Sequence, residues 1–150
     1  MSKSLGQLSG RYGLDYSPSN VTSGSNFTIE QLKDLGISYI RLQWVDLINH
    51  VRCRVIPISY FVKLLASARP GISIAKAALG IAFLTLSPGF SPSGEYLYVP
   101  DLSSFRICAY APGHATVMGW FQEKHPIDSP IGPTLDVEIC PRSTLRRVVE

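Results

Sequence analysis

Three cysteines and three histidines are all the thiol and imidazole groups that the 150 residues hold, and none falls in a paired spacing. Cys53, Cys108 and Cys140 stand apart from one another, without the close pairs that make a zinc site or a redox motif. They read as buried thiols. His50, His114 and His125 likewise lack ligand spacing, so no residue is assigned to a metal. Charge is also scarce, at 17% of residues with a formal net of +3. The arginines are spread out (Arg41, Arg52, Arg54, Arg106) until a short cluster at Arg142, Arg146 and Arg147. Without a denser basic patch or an aromatic-basic motif, nucleic acid is not an expected partner.

Long hydrophobic runs are missing too. The longest candidate, Ile72 to Leu86, falls short of the ~20 residues that span a bilayer, and Lys76 interrupts it. It reads as buried core, with strand and helix equally open by periodicity. No apolar segment follows Lys3 in the manner of a signal peptide. The glycosylation patterns at Asn20 and Asn26 therefore have no secretory context, and a cytoplasmic location is expected. Around His114 and Asp128 there is no nucleophile elbow or triad signature, so hydrolysis is not the expected chemistry.

What is present is a globular composition, 45% hydrophobic, enough for one domain with its own core. Residues 1–27 are rich in Ser, Gly and Asn and read as a flexible leader. Thr28 is placed to cap a short helix through Ile29, Leu32 and Leu35 that ends at Gly36. In "YIRLQWVDLINHVRCRVIP", Ile40, Leu42 and Trp44 alternate with Tyr39, Arg41 and Gln43, and Val51, Cys53 and Val55 alternate with Arg52 and Arg54. Two antiparallel strands around a turn at residues 48–50 satisfy both alternations. The arginine-bearing face should be wet or meet a partner.

Pro57 should stop the second strand and Ser59 cap a helix. Phe61, Leu64, Leu65 and Ala68 then form an apolar stripe that packs on the hairpin, up to Pro70-Gly71. "SPGFSPSGEYLYVPD" reads as a loop, followed by strands at Phe105 to Tyr110 and Ala115 to Gln122, with a turn at Pro112-Gly113. "HPIDSPIGPTLD" reads as an extended connection that its prolines keep irregular. Pro141 suits the first position of a helix whose Leu145, Val148 and Val149 form an apolar stripe.

The bland readings weigh most at single residues. Asp46 and Asp101 are turn formers before they are acids or bases. Trp44 and Trp120 are core aromatics before they are ligand contacts, and Arg142, Arg146 and Arg147 are a solvated helix face.

The succession "RLQWVDLINHVRCRVIPIS", "YVPDLSSFRICAYAPGHATVMGWFQEK" and "CPRSTLRRVVE" resembles the amino-terminal β-grasp domain of glutamine synthetases, over roughly Gln31 to Glu150. It is most similar to the divergent glutamine synthetase-like proteins of filamentous fungi, some of which carry an amidohydrolase domain and act in development. Pro100-Asp101 before a strand, and Pro141-Arg142 with Leu145 opening a helix, are its most specific pieces. The resemblance implies an α+β fold, a β-grasp-like mixed sheet with one packed helix. It places the β-grasp domain at 28–125, and a linker and the first helix of an incomplete catalytic domain at 126–150.

It also implies that a full-length parent is an ATP-dependent carboxylate-amine ligase of the glutamate-ammonia type, which uses ATP and Mg and assembles as a homo-oligomeric ring. This chain is expected to be inactive alone, with no catalytic, cofactor-binding or metal-ligating residue of its own. The family's Phe-Asp-Gly-Ser-Ser loop has no counterpart in "AALGIAFLTLSPGFSPSGE", which contains no aspartate. Cys140 stands where many relatives have a helix-capping aspartate, and Asn49, His50 and Cys53 occupy a hairpin where glycines are common. The alternative is a non-catalytic β-grasp interaction or developmental regulatory module, with Leu145, Val148 and Val149 as its adhesive stripe.

Overall fold

A computed structural model describes residues 32, 34–130 and 132–149. The expected leader, the Thr28 cap, Ile29 and the two asparagine sites lie outside the described residues. The short helix ends where expected, at Gly36, which adopts φ +71°. The Ile37 N–H reaches back to the Leu32 carbonyl at 3.0 Å, closing a helical turn at a left-handed glycine.

Strands β1 (Tyr39–Val45) and β2 (Val51–Pro57) form the expected antiparallel hairpin. Asn49 takes φ +64° in its turn, a left-handed conformation that asparagine tolerates better than most residues. The arginines, however, divide between the faces. Trp44 lies opposite Arg52 and Leu42 opposite Arg54, so these two arginines share the core-side face of the hairpin while Arg41 is on the other. Val51, Cys53 and Val55 are the exposed set. The five-residue turn fixes this register, and alternation within one strand cannot reveal it.

Helix α1 (Ile58–Leu65) follows without a break, with Pro57 at its cap position and no capping side chain. Ser59 is therefore inside the first turn and does not cap. Ile58, Phe61 and Leu64 are its buried face, at spacings of three, and burying each contributes roughly 1.5–3 kcal/mol. Ala68 lies beyond the helix and is exposed.

The apolar run that follows is not uniformly buried. It becomes β3 (Ile72–Ala75), a 3-10 turn (Lys76–Leu79), and a small separate hairpin of β4 (Ile81–Ala82) and β5 (Thr85–Leu86). Ile72, Ile74 and Leu79 join the core, whereas Phe83 and Leu84 at the hairpin tip are 92% and 101% exposed.

Strand β6 (Glu95–Ile107) begins ten residues before the expected Phe105. Tyr96, Tyr98, Pro100 and Phe105 are its buried positions, and Pro100 is tolerated because β3 pairs no further along β6 than Tyr98, leaving no ladder bond on that flank to lose. A register shift between Asp101 and Arg106 bends the strand. There the Ser104 hydroxyl accepts the Met118 N–H at 2.8 Å and donates to the Asp101 carbonyl at 2.6 Å. Strand β7 (His114–Ile127) runs past the expected Gln122, and β8 (Thr134–Asp136) interrupts the connection read as irregular.

The main sheet has the order β2-β1-β7-β6-β3, with β8 also paired to β7. β1 and β7 are parallel and the other pairs antiparallel, so this is a mixed α+β, β-grasp-like fold with α1 packed on β1 and β2. Its centre is an aromatic knot. Phe121 is 4.9 Å from Tyr98 and 6.0 Å from Trp44, ring to ring, the latter edge to face. The Tyr98 hydroxyl donates to the Gln43 carbonyl, and burial raises its pKa above the ordinary phenol range.

Candidate functional site

The last described helix, α2 (Pro141–Val149), starts at the expected residue. Cys140, poorly suited to capping it, does something else. β1 pairs with β7 as far as Met118, and β8 takes over at Gln122. In the gap between them the buried Cys140 sulfur accepts the Phe121 N–H at 3.3 Å. The chain thereby brings α2 against Met118 and Trp120, the β7 positions that alternate with the core-facing ones.

Asp101 and Arg142, members of the two most specific sequence pairs, meet here. The Asp101 carboxylate accepts from Arg142 at 2.6 Å and from the Ser103 N–H at 3.1 Å, so it is both the expected turn former and the anchor of α2. Arg142 also approaches the Met118 sulfur at 3.4 Å. Arg146 lies 5.0 Å over the Trp120 ring and 3.9 Å from Asp136. Trp44 is the core residue expected, but Trp120 is half-buried under this arginine. The stripe of Leu145, Val148 and Val149 is exposed, at 62%, 79% and 78%.

Between α2 and the sheet these residues enclose a groove of about 350 Å³, lined by Asp101, Trp120, Arg142, Leu145, Arg146 and Val149. It has an apolar floor and a cationic rim. Among the residues that line it, no nucleophile stands beside a base. Below it, the buried Ser143 hydroxyl and the Trp120 ring N–H find no hydrogen-bond partner among the described residues.

The other charged groups are structural. Asp46 is 2% exposed and accepts the His50 N–H at 2.8 Å, the Ile48 N–H at 3.1 Å and Arg52 at 2.5 Å. Burial raises its pKa, but the His50 N–H, Arg52 and the Ile48 N–H together hold the carboxyl below its usual range. Arg52 also donates to the Ile81 carbonyl at 3.0 Å and the Leu47 N–H to that of Leu79 at 3.1 Å, which ties the β1–β2 turn to the small hairpin. Lys76 pairs with Glu123 at 2.8 Å.

On the β1–β7 face opposite the core, the Arg41 Nε–H points to His114 Nδ1 at 3.4 Å, and Tyr39 stacks on that imidazole with 5.0 Å between ring centres. All three cysteines are free. Among the described residues no three His, Cys, Asp or Glu side chains converge in a way that could hold a metal, and Asp46, Asp101 and Glu123 are each committed to a cation of the chain. These residues do not fit Mg. Nor is any helix of the described residues long and apolar enough to cross a membrane.

The fold is that of a class already solved. The structure titled "Apo GmaS without ligand" matches over 65% of this chain with a TM-score of 0.50 at 18% identity, and "GmaS/ADP complex-Conformation 1" over 64% with 0.49 at 19%. GmaS is a glutamine synthetase-like protein, and the likeness is one of fold. The matches take in only 21% and 20% of the two GmaS chains. No protein-family model and no curated protein matches the sequence.

Proposed function

We propose that this chain is the amino-terminal β-grasp part of a glutamine synthetase-like, ATP-dependent carboxylate-amine ligase of the divergent fungal type. The observation that carries the reading is the Asp101–Arg142 clamp. It joins the Pro-Asp and Pro-Arg pairs that the resemblance singled out, on a sheet whose fold is shared with GmaS. In such a ligase ATP phosphorylates a carboxylate and an amine displaces the phosphate, with Mg neutralising the charge in transit. On this reading the present part contributes structure and assembly, and the catalytic groups belong to another domain of the parent.

The test is to sequence the transcript beyond the codon for Glu150. A segment rich in metal-binding carboxylates is the expected finding, and an in-frame continuation without one removes the ligase assignment. Alongside it, the purified 150-residue chain given ATP, Mg and glutamate should release no phosphate above the buffer rate.

A second reading, a β-grasp interaction module, is favoured by one specific feature, the fully exposed Phe83-Leu84 pair.

A further inference from the structure

The face of the sheet turned away from the core carries a second cluster of polar groups, near the start of β7. The register sets its members side by side. Val55, Arg41, Thr116 and Arg106 form one row across β2, β1, β7 and β6, with Cys53 and Gln43 in the row on one side and Tyr39 and His114 in the row on the other. α2 lies against Met118 and Trp120, further along β7, and supplies none of these groups.

A chain of contacts fixes them in place. The Arg41 Nε–H is directed at His114 Nδ1 at 3.4 Å, Tyr39 stacks on that imidazole, and the Arg41 guanidinium lies 5.6 Å over the Tyr110 ring. The Thr116 hydroxyl donates to Gln43 Oε1 at 2.6 Å, which leaves the Gln43 amide nitrogen for the Tyr110 hydroxyl. The Cys108 thiol reaches the same hydroxyl at 3.8 Å. Burial, and then that thiol, raise the Tyr110 pKa above the ordinary phenol range. The hydroxyl therefore keeps its proton, and with its oxygen already accepting, that proton is left to be donated outward.

The groups without a partner are all donors. Among the described residues the terminal nitrogens of Arg41 have no acceptor, and with Nδ1 accepting, the imidazole N–H of His114 is on Nε2, where it has none either. None of Val55, Cys53, Gln43, Thr116 and Arg106 around it is a carboxylate, and Asp101, further back along β6, is taken by Arg142. Arg106 is tethered through Nη1 to the Ser103 and Phe105 carbonyls at 3.3 and 2.6 Å, so it adds charge to the face and not a second fork. An arginine that is stacked, hydrogen-bonded through Nε and without a carboxylate presents its planar fork before any guest arrives, which is the arrangement that recognises an oxyanion. Two guanidinium charges either side of Thr116 match a phosphate monoester, with close to two negative charges at neutral pH, better than a carboxylate with one.

We propose that this face binds a small phosphate monoester, gripped by the Arg41 fork with His114 Nε2 and the Tyr110 hydroxyl as further donors, and with its organic group against the exposed rings of Tyr39 and Tyr110. The site is independent of the ligase reading, because its residues all belong to the sheet and its turns and it uses no catalytic step and no second domain.

The isotope-labelled 150-residue chain is titrated with phenyl phosphate at constant ionic strength and followed by NMR. The Arg41 Nε–H signal and the backbone amides of Arg41, His114 and Thr116 should shift together and saturate, with a Kd of about 1 mM, and inorganic phosphate should compete. Acetate should bind about tenfold more weakly. Arg41→Met should weaken phenyl phosphate about tenfold or more, and Arg41→Lys nearly as much, since an ammonium cannot present the fork. Arg106→Met should cost about threefold, declining with salt. Arg69→Met, the same change of charge on an arginine that donates to the Lys124 and Glu123 carbonyls, should stay within about twofold of wild type.

Thermal midpoints are read on every variant, and if Arg41→Met melts early, Arg41→Lys, which keeps the stem and the charge, carries the comparison. No saturable shift at these residues up to about 20 mM overturns the proposal. So does a loss in Arg69→Met equal to that in Arg41→Met, which would make the attraction one of net charge alone, or acetate binding as tightly as phenyl phosphate, which would make this a carboxylate site. Capture of the chain by vesicles bearing phosphatidic acid, with no shift for phenyl phosphate, would overturn the soluble guest in favour of a lipid headgroup.

Discussion

Gly119 is the described glycine with the least room. A Cβ built on it would lie 2.0 Å from the Val99 carbonyl oxygen and 2.9 Å from its carbon, and both are backbone atoms of the neighbouring strand that cannot rotate away. Gly119→Ala should therefore push β6 off β7, at a cost of about 3 kcal/mol. For a chain of this size the loss appears as a fall of about 6 to 12 °C in the thermal midpoint. An alanine variant as stable as wild type would mean that β6 and β7 do not approach as described.

Asp46 is the counterpart among charges. Its folded pKa lies below that of a free aspartate, near 3.9, so its contribution is complete above that value and is lost as the pH falls through the folded pKa. Asp46→Asn should cost about 2 kcal/mol at neutral pH, as Arg52 and the two turn N–H groups lose a charged acceptor. In urea titrations the gap between wild type and variant should close as the pH drops below the carboxylate range. A gap that is constant with pH would show that the carboxylate charge is not what holds the turn.

At the scale of elements, what the sequence made legible depended on whether one strand or one helix carried its own pattern. The β1–β2 hairpin was readable because both strands alternate, and the start of α2 because proline at the first turn is an intrinsic preference. The faces of the arginines were not, since they follow from pairing across the turn. The first half of β6 was hidden by Pro100 and by the glycines and prolines before it, although Tyr96 and Tyr98 already alternate; the proline is permissible only because β3 ends where it does.

Of the candidate site, Asp101 and Arg142 are each legible in the sequence, but their meeting depends on the bend in β6. Trp120 reads as core in the sequence because nothing local distinguishes it from Trp44. The Phe83-Leu84 tip was lost inside an apolar run whose composition says burial. The Asp101–Arg142 clamp is testable as an element-level joint. Its partners are 22% and 37% exposed, so a double-mutant cycle with Asp101→Ala and Arg142→Ala should give only about 0.5–1 kcal/mol of coupling, declining with salt. Faster amide exchange confined to α2 should accompany it, and exchange unchanged in α2 would deny the clamp its role.

For the molecule as a whole, the position of β7 sets the order of stability. It is the described strand that pairs with three others, β1, β6 and β8, and its Ala115 and Val117 are wholly buried. Its parallel pairing joins residues 39–43 to 114–118, so the hairpin and α1, although formed from contiguous sequence, have no sheet to complete until β7 arrives. That places the cost of closing a long loop ahead of its reward. A chain ended at Gly113 should consequently show no cooperative unfolding transition, since β1 would lose its inner neighbour and the face under α1 would be open.

In the full chain, amide exchange should be slowest at Ile40, Leu42, Ala115 and Val117, approaching the global unfolding free energy. It should be much faster in the β4–β5 hairpin and in α2, which hang on the sheet by a few bonds. If those two peripheral elements exchange as slowly as β7, the sheet is not the cooperative unit.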